Sequence, residues 1–209
     1  MDGKAVRAIV GSGYDLAAED FRAIRVDDGG DVEQLAALLP RLSPSSRVLD
    51  AGCGCGAPVG KRLRDAGNDV IGLDLSAAQL RLSQHLQVGL QPVQGDLAEL
   101  PFADGSFDAI VSFYSVIHVP REEHRAVLEE FHRVLVVGGL LLVCMGWSDL
   151  PADHDLDSWL GAPMFWSHYD AVTNLKLFAD ACLIVKRSDE VPDPNGHGSH
   201  QFVLAAKPR

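Results

Sequence analysis

Val48-Leu49-Asp50-Ala51-Gly52-Cys53-Gly54-Cys55-Gly56 begins as a β-rich run and breaks into three glycines at alternate positions. A helical pattern follows from about Pro58 to Asp65, and then a second strand-like run, Asp69 to Leu73. Strand, glycine loop, helix, strand is the order in which absent side chains let the backbone approach a ligand at the carboxyl edge of a parallel sheet. Gly52-x-Gly54-x-x-Ala57 also fits the dinucleotide-binding fingerprint. Asp74, 22 residues beyond Gly52 at the end of the second strand, is placed to accept hydrogen bonds from ribose hydroxyls.

The same rhythm continues outward. Ser76-x-x-Gln79 reads as a capping box opening a helix to about His85, with Ser76 and Gln79 satisfying helix N–H groups reciprocally. Pro92 to Gln94 reads as a short strand and Phe107 to Phe113 as a longer one. Pro120 suits a first helical position, with Glu122 and Glu123 at the positive end of the helix dipole. Val127, Phe131 and Val134 recur at helical spacing, and Gly138-Gly139 is expected to end that helix before a strand from Leu140 to Met145. Strand and helix in alternation imply an α/β fold, a parallel sheet covered on both faces.

The ends read differently. Residues 1–42 look mainly helical, with Tyr14 just before a helix, and form an N-terminal cover to a cofactor-binding core at 43–146. Trp147 to Ser167 reads as irregular, aromatic and acidic, so 147–170 is expected to be a lid over a substrate. A helix from about Ala171 to Ala181 and strands Cys182–Ser188 and Gln201–Lys207, joined by a turn-rich loop over 193–198, complete a single domain.

A length of 209 residues suits one domain, and 47% hydrophobic with 22% charged residues is an ordinary globular balance. Eighteen Lys and Arg against 29 Asp and Glu leave a net charge of −11, which repels phosphate backbones and anionic membranes, so neither is an expected partner. Four cysteines match neither a disulfide framework nor a zinc pattern; Cys53 and Cys55 offer only two ligands, and no metal is expected. The opening Met1-Asp2-Gly3-Lys4 carries no charged-then-apolar leader, and the longest apolar stretch, near Leu140 to Gly146, is far short of the ~20 residues of a span. A soluble, cytoplasmic chain is the expectation.

Asp50 sits two residues before Gly52, where a carboxylate crowds a pyrophosphate but favours an amine. Asp96, after the third strand, can accept from an adenine amino group. Acids at three successive strand ends suit a ligand with an ammonium, a ribose diol and an adenine, and no phosphate.

At these residues the sequence resembles the class I S-adenosylmethionine-dependent methyltransferases, closest to the ubiquinone/menaquinone-biosynthesis-type small-molecule branch. Asp50 to Gly56 resembles the first motif, Gly72-Leu73-Asp74-Leu75-Ser76 the second, and Gly95-Asp96-Leu97 with Leu100-Pro101-Phe102 the third. Phe107-Asp108-Ala109-Ile110-Val111-Ser112 is similar to the fourth strand, and Arg133-Val134-Leu135-x-x-Gly138-Gly139-Leu140 to the turn into the fifth. Val136-Val137 stands where the family usually has a basic residue and proline. Cys55 stands where a smaller or hydroxyl residue is commoner. The resemblance implies a Rossmann-like, doubly wound sheet of seven strands in the order 3-2-1-4-5-7-6, the last antiparallel. It also implies S-adenosyl-L-methionine as cofactor, leaving S-adenosyl-L-homocysteine, and a small-molecule acceptor. Tyr14, Asp50, Gly52, Gly54, Asp74, Leu75, Asp96, Leu97 and Ser112 are then the expected cofactor contacts.

His118, just after the fourth strand, and His168, in Met164-Phe165-Trp166-Ser167-His168-Tyr169, are the candidate bases, since an oxygen or nitrogen acceptor benefits from a base near neutral pKa. His85, His124 and His132, on helices with charged neighbours, read as surface residues, and His200 as the opening of the last strand. Phe113, Tyr114, Met164, Phe165, Trp166 and Tyr169 are the candidate substrate pocket, suited to a small, partly apolar or planar molecule. A non-catalytic domain that binds the same nucleoside and a nicotinamide oxidoreductase are the alternatives.

Overall fold

The computed structural model describes residues 2–194, 196 and 198–209, with the backbone alone at 154–158. Its frame is a run of strands: β1 (Arg47–Ala51), β2 (Asp69–Asp74), β3 (Gln91–Gln94), β4 (Phe107–Ser112), β5 (Leu135–Gly146), β8 (Ile184–Pro192) and β9 (Ser199–Ala206). They pair in the order β3-β2-β1-β4-β5-β9-β8, with β9 antiparallel to both of its neighbours. This is the seven-stranded arrangement that the family resemblance implies. The central strands are buried on both faces, which is why Val48-Leu49, Ala109-Ile110-Val111 and Leu141-Leu142-Val143 read as continuous apolar runs and not as alternation.

Each face is closed by helices. Against one pack α7 (His124–Val134) and α8 (Ala171–Asp180), through Val127, Leu128, Phe131 and Phe178. Against the other pack α5 (Val59–Asp65) and the short helices α3 (Gly30–Glu33) and α4 (Leu35–Leu38), through Leu63, Val32, Leu35 and Leu38. The chain opens with α1 (Gly3–Leu16) and α2 (Ala18–Ile24), and α6 (Ala77–His85) links β2 to β3.

Several sequence expectations shift. Tyr14 lies inside α1 and not before a helix: Asp2 Oδ1 accepts from Ala5 N at 2.7 Å and starts the helix, and Gly13 serves a close approach. A side chain at Gly13 would put its Cβ 1.9 Å from the Pro163 carbonyl oxygen. The helix α7 starts at His124, after a 3-10 turn over Arg121–Glu123, and ends at Val134, well before Gly138-Gly139. Those glycines lie within β5, where Gly138 takes φ +81° beside the register shift between Phe107 and Ala109.

The segment read as irregular is a hairpin, β6 (Leu150–Trp159) with β7 (Ala162–His168), forming its own antiparallel sheet. Pro151 and the acidic run hide β6, whose pairing with β7 runs through the backbone; in β7 the side chains of Ala162, Met164 and Phe165 are buried. The C-terminal strands are also shifted: β8 runs later, from Ile184 to Pro192, and β9 begins earlier, at Ser199. Of the expected loop between them, Asn195 and His197 lie outside the described residues.

Phe131 is fully buried where α7 meets the sheet, so Phe131→Ala is expected to cost about 3–5 kcal/mol in urea unfolding. Val137→Ala, at a side chain 67% exposed, should stay within about 0.5 kcal/mol.

Candidate functional site

The carboxyl ends of β1, β2 and β4 open into a cavity roofed by α1 and α2. Its floor is the glycine loop. Gly52 N and Cys53 N donate to the Leu73 carbonyl at 2.7 and 3.0 Å, extending the β1–β2 pairing past the strand. Gly54 N then donates to Asp74 Oδ2 at 2.7 Å, while Ser76 N donates to Asp74 Oδ1 at 2.8 Å. One carboxylate thus ties the loop after β1 to the start of α6. Gly52 takes φ +77°, and a Cβ there would lie 2.0 Å from Ser115 Oγ, so glycine is required on both counts.

The expected capping box is half formed. Ser76 Oγ accepts from Gln79 N at 3.1 Å, but the Gln79 side chain is buried without a hydrogen-bond partner. Asp74 has taken the Ser76 N–H that glutamine would otherwise cap, and Asp15 of α1 takes up the rest, accepting from Ser76 Oγ at 2.6 Å and Ala78 N at 2.9 Å.

Asp50, Gly52, Gly54, Asp74, Leu75, Asp96, Leu97 and Tyr14 all line the cavity, as do Phe113, Tyr114 and His118. Burial, reinforced by the neighbouring Asp74, pushes Asp50 up to about 7, against the pull of Arg25 and the Gly60 amide; its Oδ2 has no hydrogen-bond partner. Burial likewise raises Asp74 to about 6, opposed by the Ser76 and Gly54 amides. Asp96 is engaged by Arg7 of α1, whose Nη2 also lies 2.6 Å from Glu123 Oε2. Arg7, Phe21, Arg22, Arg25 and Ser115 also line the cavity, and sequence reading missed them. Nothing marked the arginines: each sits on a helical stretch where a basic residue reads as surface.

His118 is held at both ring nitrogens. Nδ1 lies 2.7 Å from the Phe165 carbonyl, an acceptor only, so Nδ1 carries the proton and Nε2 accepts from the Tyr14 hydroxyl at 3.0 Å. Burial drops its pKa to about 4, consistent with a neutral ring.

The other candidates lie elsewhere. Met164 and Phe165 pack against Val6 and Val10 of α1, and neither lines the cavity. Trp166 tilts against His118 at 6.0 Å, outside the lining. Tyr169 lies under the Arg121 guanidinium at 4.7 Å. His168, with Nδ1 2.7 Å from the Ser148 carbonyl, lies at the end of β7 and not among the lining residues. Ser112 is fully buried beneath the cavity, its hydroxyl without a partner. His124, read as a surface residue, is fully buried: Nε2 meets the Val119 carbonyl at 3.0 Å and the ring meets Tyr169 edge-on, because α7 turns its first residue inward. His85 is exposed and His132 partly so. His200 pairs with Asp193 at 3.1 Å.

Residues 48–139, covering β1 to the start of β5, match the family profile described as a methyltransferase domain. That stretch is similar to a methyltransferase domain. The chain is 36% identical over 158 residues to the methyltransferase GfsG of Streptomyces halstedii (64% of this chain, 56% of that protein). It is 37% identical over 100 residues to a demethylmenaquinone methyltransferase of Renibacterium salmoninarum (48% of this chain, 41% of that protein). The chain thus spans about half the length of these relatives. Among solved structures, Burkholderia thailandensis 1,6-didemethyltoxoflavin-N1-methyltransferase, with 1,6-didemethyltoxoflavin and S-adenosylhomocysteine bound, superposes with a TM-score of 0.77 at 20% identity. The overlap covers 100% of this chain and 92% of that one, so the two share a fold.

The raised acids of the cavity carry a pH signature. An acid whose folded pKa exceeds its unfolded value makes the folded state hold the extra proton between the two, so its contribution to stability falls as pH rises through that window. For Asp50 the window runs from 3.8 to about 7. His118 and His124, both lowered to about 4, push the opposite way below 6.5. The difference between wild type and Asp50→Asn isolates the acid: in urea unfolding without ligand, the variant should gain on wild type from pH 5 to pH 8, by on the order of 2 kcal/mol. A difference independent of pH would mean that Asp50 ionises freely.

Proposed function

We propose that the chain transfers a methyl group from S-adenosylmethionine to a small, partly apolar or planar acceptor, releasing S-adenosylhomocysteine. The observation that carries this reading is the gathering of Asp50, Asp74 and Asp96 around one glycine loop at one cavity, with Asp50 Oδ2 lacking any partner. A buried acceptor without a donor fits an incoming ammonium, and a cation beside Asp50 draws that carboxyl back toward its ionised form. A pyrophosphate at the same place would meet repulsion instead. The domain match and the methyltransferase relatives point the same way.

When bound, the cofactor supplies a methyl group on a sulfonium, a carbon already activated for in-line displacement. The chain's work is then orientation and exclusion of water. Asp74 has both oxygens on backbone amides and remaining lone pairs for ribose hydroxyls. Tyr14, fixed by His118, covers the methionine side; His118 acts here by positioning Tyr14, since neither ring nitrogen is free to take a proton. Phe21, Phe113 and Tyr114 offer apolar and aromatic surface to an acceptor. His168 lies outside this set, and the reading assigns it no proton transfer.

We extend the reading to a cytoplasmic enzyme without nucleic-acid or membrane partners, on the grounds of the −11 charge and four unpaired cysteines. Among the described residues no helix is long and apolar enough to cross a membrane, and no cluster of His, Cys, Asp or Glu could hold a metal ion.

Calorimetry should find one S-adenosylhomocysteine site per chain and no comparable site for NAD. Asp74→Ala should weaken that site by about 1–3 kcal/mol, through loss of a charged acceptor and of the loop's anchor. Transfer of labelled methyl to a member of a metabolite library establishes the activity; tight binding without transfer to any of them would favour a non-catalytic domain.

The cover gives a separate test. Val6, Val10, Met164 and Phe165 form one cluster, which makes α1 and the β6–β7 hairpin a single apolar unit. Binding of S-adenosylhomocysteine should therefore slow hydrogen exchange in both segments together. Protection of neither would mean a preformed pocket and defeat the idea of a closing cover.

A further inference from the structure

Three arginines line the cavity, and two are committed elsewhere. Arg7 joins Asp96 to Glu123, and Arg22 joins the Arg25 carbonyl to Asp27. Arg25 differs. Its side chain is 9% exposed, and Nη2 lies 2.5 Å from Asp31 Oδ2, a carboxylate with no exposure at all. Its Cζ sits 4.9 Å from the centre of the Tyr114 ring. Beyond that ion pair its guanidinium makes no hydrogen bond among the described residues, so most of its five N–H donors are unused.

The surroundings are built to hold that guanidinium at the cavity wall. Tyr114 takes φ +54°, a left-handed conformation that a non-glycine residue adopts only under constraint. Its ring is fixed edge-on by His200 at 4.9 Å and Phe202 at 6.2 Å. Phe21, Phe113 and Tyr114 line the cavity together with Arg25. A planar fork braced by one carboxylate behind and an aromatic face beside it can serve a second carboxylate in front, in a setting too dry to screen the attraction.

We propose that Arg25 is an anion-recognition residue: its unused N–H edge binds a carboxylate-type anion carried by a small molecule in the cavity, with Asp31 and Tyr114 holding the fork in place. The anion has two possible sources, the amino-acid end of the nucleoside cofactor or the acceptor. The choice of probes rests on the proposed function; the anion site itself does not.

Calorimetry on wild type, Arg25→Gln and Arg25→Lys would use S-adenosylhomocysteine, its decarboxylated analogue, and benzoate against benzamide added to saturated protein. Because Arg25→Gln strands Asp31 as an unpaired buried charge, Arg25→Gln/Asp31→Asn serves as the neutral control, with thermal unfolding to establish that each variant folds. If the cofactor supplies the anion, S-adenosylhomocysteine weakens 10- to 100-fold in both glutamine variants, while the decarboxylated analogue binds wild type and variants alike. If the acceptor supplies it, S-adenosylhomocysteine is unaffected, benzoate is preferred over benzamide by wild type, and the preference vanishes in both glutamine variants. In either case lysine should restore part of the loss. No carboxylate preference in wild type, or a loss in Arg25→Gln that Arg25→Gln/Asp31→Asn recovers, overturns the proposal. Failure of wild type to bind S-adenosylhomocysteine would defeat the proposed function alone, since benzoate against benzamide on the free protein still decides Arg25.

Discussion

The Asp74 carboxylate is the joint on which the cavity depends. It stands at the end of β2, yet its oxygens accept from Gly54, in the loop after β1, and from Ser76, at the cap of α6. The loop after β1 and the turn from β2 into α6, some 20 residues apart in sequence, are thereby fixed at one point. Holding a charge there has a cost, visible in the upward pull of burial on Asp74, and the two amide hydrogen bonds offset part of it. Asp50, with fewer donors, is left further from its ordinary value.

From that joint the structure builds outward through α1. Asp15 shares the α6 cap with Asp74, Tyr14 leans on His118, and Arg7 reaches Asp96 and Glu123. Each contact ties the first helix to a different strand end. Partly exposed ion pairs like those of Arg7 contribute little alone, so the larger share of the docking comes from Val6 and Val10 buried against Met164 and Phe165. The β6–β7 hairpin therefore reaches the cavity indirectly: it supports α1 from behind and offers the Phe165 carbonyl to His118.

This division explains what the sequence could and could not convey. The glycine loop, Asp50, Asp74 and Asp96 were legible because their chemistry is local, a strand followed by a turn that only glycine can make. The strand order was legible only through family resemblance, because pairing between β5 and β9 is non-local. The hairpin and the limits of α7 were missed where backbone pairing overrode side-chain pattern, at Pro151 and at Gly138-Gly139. Among the site residues, Met164 and Phe165 have the composition of a pocket and the position of a core, and only the docking of α1 tells the two apart. Arg7, Arg22 and Arg25 escaped for the opposite reason. A basic residue on an amphipathic stretch reads as solvated until tertiary structure turns it inward.

His118 shows the same principle applied to chemistry. Its place after β4 suits a base, but a base must have a lone pair to offer. The Phe165 carbonyl fixes the proton on Nδ1, and the Tyr14 hydroxyl then claims Nε2. The two bonds reinforce each other, for a ring held neutral by burial is the better acceptor for a phenol. What the imidazole loses as a proton acceptor it gains as a brace, setting the angle of the tyrosine that faces the cavity. In the proposed methyl transfer the electrophile arrives already activated and asks chiefly for such bracing, and under that reading the buried, fully engaged histidine serves by position.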